Sequence, residues 1–266
     1  MAGTTADRPI ALITGASAGI GKVFAQRLAA SGHDVVLVAR DAERLREVAT
    51  ELTRDHAVSA ESLTADLSTT DGMHRVANYV AQLPRLDVLV NNAGFGTKGK
   101  LANRPVDEQV AMLELHVTAP MVLTRAALTG MLTRNSGTII NVASVASFAY
   151  SAGNINYSAS KAYLRVFTQG LALELEGTGV HAQVLCPGFT HTELHDRAKI
   201  DKSTIPRWLW LDVHRVVDDS LSQAARRGAT VCVPSRRFRL IVLILRYVPN
   251  WVLSGVRRKY GKTRSG

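Results

Sequence analysis

The sequence has 266 residues, 46% of them hydrophobic and 20% charged, which suffices for the core of one large domain and excludes a globally disordered chain. The first ten residues lack the basic and apolar regions of a secretory signal, and no apolar run approaches the roughly 20 residues of a membrane-spanning helix, so we expect neither a secreted nor a multi-pass protein. The net charge of +10 is unevenly distributed along the chain. Residues 1–233 carry 23 basic and 22 acidic side chains, whereas residues 234–266 carry nine basic and no acidic ones. The near-neutral charge of residues 1–233 argues against nucleic-acid binding by that part of the chain.

Apolar, β-branched stretches alternate with stretches of helical periodicity along residues 1–233. The strand-like runs are Ile10–Thr14, Asp34–Ala39, Asp87–Val90, Thr138–Val142 and Val180–Leu185. Helices are predicted at Ile20–Ala30 and near 41–55, 71–82, 106–133, 157–176 and 213–227. Continuous apolar strands separated by helices are typical of a parallel sheet covered on both faces. The sequence therefore predicts an α/β protein: a single doubly wound Rossmann-type domain over 1–233, its central parallel sheet flanked by helices, and a basic amphipathic C-terminal extension over 234–266.

A glycine-rich segment, ALITGASAGIG, joins the first strand to the first helix and contains Gly15, Gly19 and Gly21. A tight turn at this place lets the backbone approach a pyrophosphate, whose charge then faces the N–H groups at the start of the helix. A purely structural turn also uses glycine. The strand before the segment and the helix after it favour a dinucleotide site.

Arg40 follows the second strand directly, about 20 residues beyond the glycine segment, where an acidic residue would favour NAD. A guanidinium at this position can pair with the 2′-phosphate of NADP. Asp41 suits the cap of the next helix better than a ribose contact. The sequence therefore favours NADPH/NADP+, with an ordinary surface arginine as the alternative.

Tyr157 and Lys161 lie four residues apart in a predicted helix, so their side chains share one face. A nearby ammonium favours the phenolate form of a tyrosine and brings its pKa down towards the working range. Such a pair is common by chance, but Ser144 follows the strand that ends at Val142, at the carboxyl edge of the sheet where ligands collect. These three residues predict acid–base chemistry on a bound ligand.

The motifs TGASAGIG, NNAG, Ser144, YSASK and CPGFTHT, in this order, resemble the short-chain dehydrogenase/reductase family over about residues 10–233. The resemblance implies that Tyr157 is the general acid at a carbonyl oxygen and that Ser144 stabilises the charge developing there. It implies that Lys161 lowers the pKa of Tyr157 and holds the nicotinamide ribose. The positions that the resemblance assigns to cofactor binding are Gly15, Ser17, Gly19, Ile20, Gly21, Arg40, Asp66, Leu67, Asn91, Ala93, Gly94, Tyr157, Lys161, Pro187, Gly188 and Thr192.

One position departs from the family pattern. Where the family usually has an asparagine that holds a water in a proton relay, the stretch ELHVTAP places His116. Imidazole can also donate and accept a proton, so His116 can belong to the catalytic set in a modified relay. The alternative is a histidine satisfied by a backbone carbonyl, with no relay role.

Two variable stretches bear on the substrate. Residues 145–156 contain Phe148 and Tyr150, and the stretch from Phe189 to Leu211 contains an apolar patch at 208–211. An apolar pocket suits a hydrophobic carbonyl compound better than a sugar, although the tryptophans at 208 and 210 can equally pack this stretch onto the core. The extension can lie on a membrane surface, cap the cleft or form a subunit interface, and no recognition motif supports nucleic-acid binding.

The sequence thus predicts an NADPH-dependent reductase of a carbonyl in a hydrophobic substrate, plausibly a long-chain 3-oxoacyl compound by resemblance to ketoacyl reductases of lipid metabolism. The alternatives are a non-catalytic NADP(H)-binding protein that docks on a membrane or partner, and a sterol or secondary-alcohol dehydrogenase. Cys186 and Cys232 lie in apolar stretches, which favours free thiols and a cytoplasmic protein, with peripheral membrane association left open. We expect no metal site, and the family resemblance implies a homo-oligomer.

Overall fold

The computed structural model describes residues 8–97, 99–150, 152–191 and 206–247. Within these ranges, seven parallel strands form one sheet in the order β3-β2-β1-β4-β5-β6-β7. The strands are β1 (Ile10–Thr14), β2 (Asp34–Ala39), β3 (Ala60–Thr64), β4 (Val88–Asn91), β5 (Gly137–Val142), β6 (Val180–Leu185) and β7 (Val231–Cys232). This is the predicted doubly wound α/β fold. The strands that follow β1 are added on one side of it and those from β4 onward on the other, although all strands are parallel. This switch point between β1 and β4 places a crevice at the carboxyl ends of those strands.

Helices cover both faces of the sheet. They are α1 (Gly19–Ala30), α2 (Ala42–His56), α3 (Thr70–Gln82), α4 (Val106–Leu113), α5 (Ala119–Thr133), α6 (Ile155–Glu174), α7 (Val213–Ala225) and α8 (Arg236–Tyr247). Short 3₁₀ turns lie at Leu101–Asn103, Val145–Phe148 and Arg207–Leu209. Successive residues of β2 point to opposite faces, so Val35 and Leu37 join one apolar core with α1, α2, α7 and α8, whereas Val36 and Val38 join the other with α3, α5 and α6.

The helix predicted over 106–133 is continuous in the chain but not uniform. A π-helical turn, Glu114–Thr118, separates α4 from α5, and the N–H of Ala119 bonds the carbonyl of Glu114 five residues earlier. Pro120 supplies a physical reason, because it has no N–H for the carbonyl of His116 and its ring would crowd that carbonyl in a regular helix. Such wide turns are frequent at functional sites, and this one carries the buried His116.

The first helix of the C-terminal extension packs against the domain. Phe238 and Val242 of α8 are buried in the same core as Val216 and Val217 of α7. The boundary at residues 233 and 234 stays a prediction. None of the helices in the described ranges has the length and apolar character needed to cross a membrane.

Candidate active site

The glycine segment forms a tight turn between β1 and α1. Gly15 has a φ of +65°, a conformation that costs glycine little and other residues more. A Cβ at Gly21 would lie 2.3 Å from the carbonyl oxygen of Gly15, so the helix can approach the turn only without a side chain at this position. The first turn of α1 has no acidic residue and no side-chain cap, which leaves its N–H groups for an anion. These features fit a dinucleotide pyrophosphate.

The turn after β4 is tied to the glycine turn by hydrogen bonds. Thr14 Oγ1 accepts from the N–H groups of Asn92 and Ala93 at 2.9 and 3.0 Å. The Asn92 amide donates to the carbonyls of Thr14 and Gly15 at 2.9 and 3.2 Å. The two turns that flank the crevice are thus held as one unit. Sequence reasoning singled out neither Thr14 nor Asn92, although both stand inside motifs that it quoted.

Arg40 and Asp66 meet at the carboxyl ends of β2 and β3. Arg40 Nη1 lies 3.8 Å from Asp66 Oδ2, and the guanidinium is largely exposed. Burial opposes ionisation of Asp66, but hydrogen bonds from Ser68 and the charge of Arg40 outweigh it and lower the pKa of the carboxyl. The side chain of Leu67 is buried in the core below, so a contact with a bound nucleotide would use its backbone.

Lys161 is held at the end of β5 and lies under the ring of Tyr157. Its ammonium is buried, donates to the carbonyl oxygen of Val142 at 2.9 Å, and lies 5.9 Å from the centroid of the Tyr157 ring. Burial lowers the pKa of Lys161 to about 8, with the Cys186 sulfur acting in the opposite sense. The lysine is therefore still mostly protonated at neutral pH, and its charge is close to the phenol that it is expected to assist.

His116 is fully buried, and both of its ring nitrogens are engaged. The N–H of Phe95 donates to Nε2 at 3.1 Å, which assigns the ring proton to Nδ1, and Nδ1 lies 3.0 Å from Ser160 Oγ. Ser160 in turn donates to the carbonyl of Tyr157 at 2.9 Å. Burial, together with the nearby Lys161 ammonium, holds the pKa of His116 well below its ordinary value, so the ring is neutral.

The partners of the His116 ring are a backbone N–H and a serine hydroxyl rather than the backbone carbonyl of the predicted alternative. The His116 ring packs edge-on against the Tyr157 ring at a centroid distance of 5.8 Å. A Cβ at Gly94 would lie 2.8 Å from His116 Nε2 and 3.5 Å from Lys161 Nζ, so Gly94 faces both groups. The imidazole is therefore placed to position Phe95, Ser160 and Tyr157, and sequence reasoning missed Ser160 although it stands inside YSASK.

Ser144 and Asn91 have different surroundings. The Ser144 side chain accepts from the N–H of Ala146 at 3.1 Å, so its hydroxyl hydrogen is left to donate elsewhere. The Asn91 amide instead donates to Thr124 and Asn141 inside the protein, at 3.2 and 2.8 Å. Asn91 therefore braces the centre of the sheet with its side chain.

The segment after β6 packs under α8. Pro187 accepts from the N–H of Val145 at 3.0 Å, and Gly188 lies so close to Phe238 that a Cβ there would be 2.2 Å from the ring. Thr192 lies outside the described residues. The two tryptophans of the apolar patch at 208–211 differ, because Trp210 stacks on His191 at 4.6 Å whereas Trp208 is 57% exposed. Of the other substrate candidates, Phe148 packs on the core under Arg165 and Tyr150 is exposed.

Both cysteines are free and buried, as the sequence predicts. Burial raises the pKa of the Cys186 thiol to about 11 and that of Cys232 to about 12. Neither thiol is a nucleophile at neutral pH.

Comparisons with known proteins agree with this geometry. Residues 9–203 match the model of the short chain dehydrogenase family. An uncharacterized oxidoreductase of Staphylococcus aureus (strain MW2) is 34% identical over 203 residues, which are 74% of this chain and 87% of that protein. A short-chain dehydrogenase from Sphingobium yanoikuyae in complex with NADPH is 35% identical, with a TM-score of 0.82 and coverage of 95% of this chain and 94% of the other. The bulky-bulky ketone specific alcohol dehydrogenase from Comamonas testosteroni is 30% identical, with a TM-score of 0.77 and coverage of 93% of each chain.

The chain therefore belongs to the short-chain dehydrogenase family. It is an oxidoreductase built on a single Rossmann-type domain, and the family predicted from its motifs is confirmed.

Proposed function

We propose that the protein is an NADPH-dependent reductase of a carbonyl group in a hydrophobic substrate, a long-chain 3-oxoacyl compound in particular. The observation that carries the proposal is the placement of Tyr157 beside the buried ammonium of Lys161 at the carboxyl edge of the sheet. A module that only binds a nucleotide has no need of this pair. NADPH, when bound, supplies the hydride that the carbonyl carbon accepts.

In the proposed reaction, the hydroxyl of Tyr157 donates its proton to the substrate oxygen, so that the C=O bond becomes C–OH as the hydride arrives. In the same proposal, the hydroxyl of Ser144 donates a hydrogen bond to the substrate oxygen and stabilises its developing negative charge. Lys161 supplies positive charge beside the phenol as it loses its proton. We propose His116 as a positioning residue, since its ring holds Ser160 and packs against Tyr157 while remaining neutral.

The cofactor preference rests on Arg40. Its guanidinium is exposed at the end of β2, and its partner Asp66 holds it near the place where the adenosine end of a cofactor would lie. The relative from Sphingobium yanoikuyae, solved with NADPH, supports this choice. The remaining sequence-predicted cofactor contacts are retained as part of the same proposal.

Arg40→Asp is expected to invert the preference for NADPH over NADH, because a carboxylate repels a 2′-phosphate and accepts a hydrogen bond from a 2′-hydroxyl. We expect the ratio of the two dissociation constants to change by about a hundredfold, as removal of an arginine–phosphate contact and addition of a repulsion each contribute roughly tenfold. Fluorescence titration with both nucleotides measures it. Arg54→Asp, at the far end of α2, makes the same charge change and should leave the ratio unaltered. An unaltered ratio in Arg40→Asp would refute the assignment.

The substrate class is supported by exposed aromatic side chains in the two variable stretches, Tyr150 and Trp208, and by the bulky ketone named for the relative from Comamonas testosteroni. We expect NADPH oxidation with 3-oxoacyl esters to rise in kcat/KM with chain length, by about two- to fourfold per added CH₂ until the pocket is filled. A series of esters that differ only in chain length measures it. Equal rates for short and long esters would overturn the acyl-chain assignment.

The main alternative is a non-catalytic NADP(H)-binding protein, which the engaged ring nitrogens of His116 favour because they leave no relay through the imidazole. Tight NADPH binding without turnover of any ketone or alcohol would support that alternative. Turnover of a secondary alcohol with NADP+ alone would instead favour the dehydrogenase direction. A homo-oligomer stays a prediction, consistent with the exposed Met121, Val166 and Leu173 on α5 and α6.

A further inference from the structure

Helix α8 has apolar side chains on two faces, only one of which is covered. Phe238 and Val242 are buried against the domain. Leu240, Leu243, Ile244 and Tyr247 are exposed, and their spacing of three, four and seven residues places them on one stripe of the helix. Packing against the domain therefore accounts for the apolar residues on the inner face of α8. The apolar residues on its outer face have no packing partner among the described residues.

The exposed stripe lies among arginines. All four arginines of α8 are exposed, and residues 234–266 contain nine basic residues and no acidic one. Two of the arginines also bond the protein, since Arg237 donates to the carbonyl of Trp208 and Arg239 to that of Val233. An outer face that is both apolar and cationic complements an anionic lipid surface, where aliphatic and aromatic groups enter the headgroup region and guanidinium groups meet phosphate.

Charge argues against a second copy of this chain as the occupant. A two-fold contact through α8 would bring the same arginines of both copies together, and like charges without acidic partners repel. The helix is also too short to cross a bilayer, because 12 residues extend only about 18 Å. A helix that lies in the plane of a lipid surface need not span the bilayer, and it does not bring the arginines of two copies together.

We propose that the outer face of α8 docks this protein on anionic lipid surfaces. The same helix contacts the segment after β6, where Phe238 lies against Gly188 and Arg237 donates to the carbonyl of Trp208. Docking would hold the segment after β6, which the family resemblance assigns to the nicotinamide end of the site, close to a surface that contains long-chain lipids; this last consequence rests on the proposed function, whereas the docking does not.

Co-sedimentation of the full chain with lipid vesicles tests the proposal without any substrate or turnover. The chain should bind vesicles of equal phosphatidylglycerol and phosphatidylcholine at least about tenfold more tightly than vesicles of phosphatidylcholine alone. Leu243→Asp should weaken binding to the mixed vesicles by about tenfold or more, because it removes an apolar anchor and adds a negative charge. Val106→Asp, at the exposed start of α4, makes the same change at a residue that is 73% exposed, against 54% for Leu243, and should bind like the unaltered chain.

Unchanged NADPH affinity in both variants shows that the fold is intact. Three outcomes overturn the proposal: equal binding to both kinds of vesicle or to neither, a Leu243→Asp variant that binds as well as the control, and a lower oligomeric mass for Leu243→Asp in the absence of lipid. The last would identify the face as an interface between copies. Because reductase activity is never measured here, failure of the docking and failure of the proposed reaction remain distinguishable.

Discussion

Tyr157→Phe is expected to reduce carbonyl reduction by about a thousandfold, because it removes the O–H that donates the proton and nothing else. The phenyl ring keeps its edge contact with His116 and its place above Lys161. NADPH affinity should therefore change by less than about threefold, since only one hydroxyl is lost from the site. Steady-state kcat/KM and a fluorescence titration with NADPH measure the two quantities separately.

Tyr163→Phe is the matched control. This tyrosine stands on the same helix, stacks on Phe167 and is exposed, so its hydroxyl has no part in the proposed reaction. Its variant should retain full activity. A Tyr157→Phe enzyme within about tenfold of the unaltered one would rule out the phenol as proton donor, because general acid catalysis contributes more than that.

Gly21→Ala is expected to lower the free energy of unfolding by about 3 kcal/mol and to abolish tight nucleotide binding, because overpacking at a rigid backbone contact cannot relax cheaply. The added Cβ would lie 2.3 Å from the Gly15 carbonyl oxygen and 2.5 Å from the Asn92 amide nitrogen. Either the helix moves away from β1, or the bonds that tie the two turns together break. Either change disrupts the predicted pyrophosphate site.

Gly170→Ala provides the comparison, because it also adds a methyl group to a helical glycine. A Cβ there meets nothing within 4 Å, and alanine has the higher helix propensity, so the free energy of unfolding should rise by about 0.5–1 kcal/mol. Urea denaturation and NADPH titration of both variants give the contrast. Similar stability for Gly21→Ala and the unaltered chain would mean that α1 does not approach the turn as closely as described.

The strands that the sequence predicted best are those with continuous apolar runs. β1 and β2 begin and end at the predicted residues, because apolar side chains buried on both faces leave a continuous apolar pattern. β6 also has the predicted bounds, although His181 and Gln183 interrupt its apolar residues. β7 has two residues, Val231 and Cys232, too few for any period to appear. The glycine segment was found because its chemistry is local in the chain.

The site was harder to predict where its contacts join distant segments. His116 and Ser160 are 44 residues apart, and Phe95 is 21 residues from His116, so no spacing rule connects them. The departure from a family pattern marked His116, but only the positions of its neighbours distinguish a held ring from a proton carrier. In the same way, the apolar patch at 208–211 did not reveal that Trp210 is half-buried and stacks on His191 while Trp208 is exposed, because packing partners decide that difference.

The engagement of both ring nitrogens of His116 affects how Tyr157 regains a proton after each turnover of the proposed enzyme. A phenol that gives away its proton must regain one before the next cycle. A neutral imidazole with one nitrogen accepting from Phe95 and the other bonded to Ser160 cannot hand over a proton without breaking a bond that orders the site. Resupply then falls to solvent that reaches the half-buried Tyr157. In that case the turnover rate depends on the access of solvent to Tyr157 rather than on a proton relay through the interior of the protein.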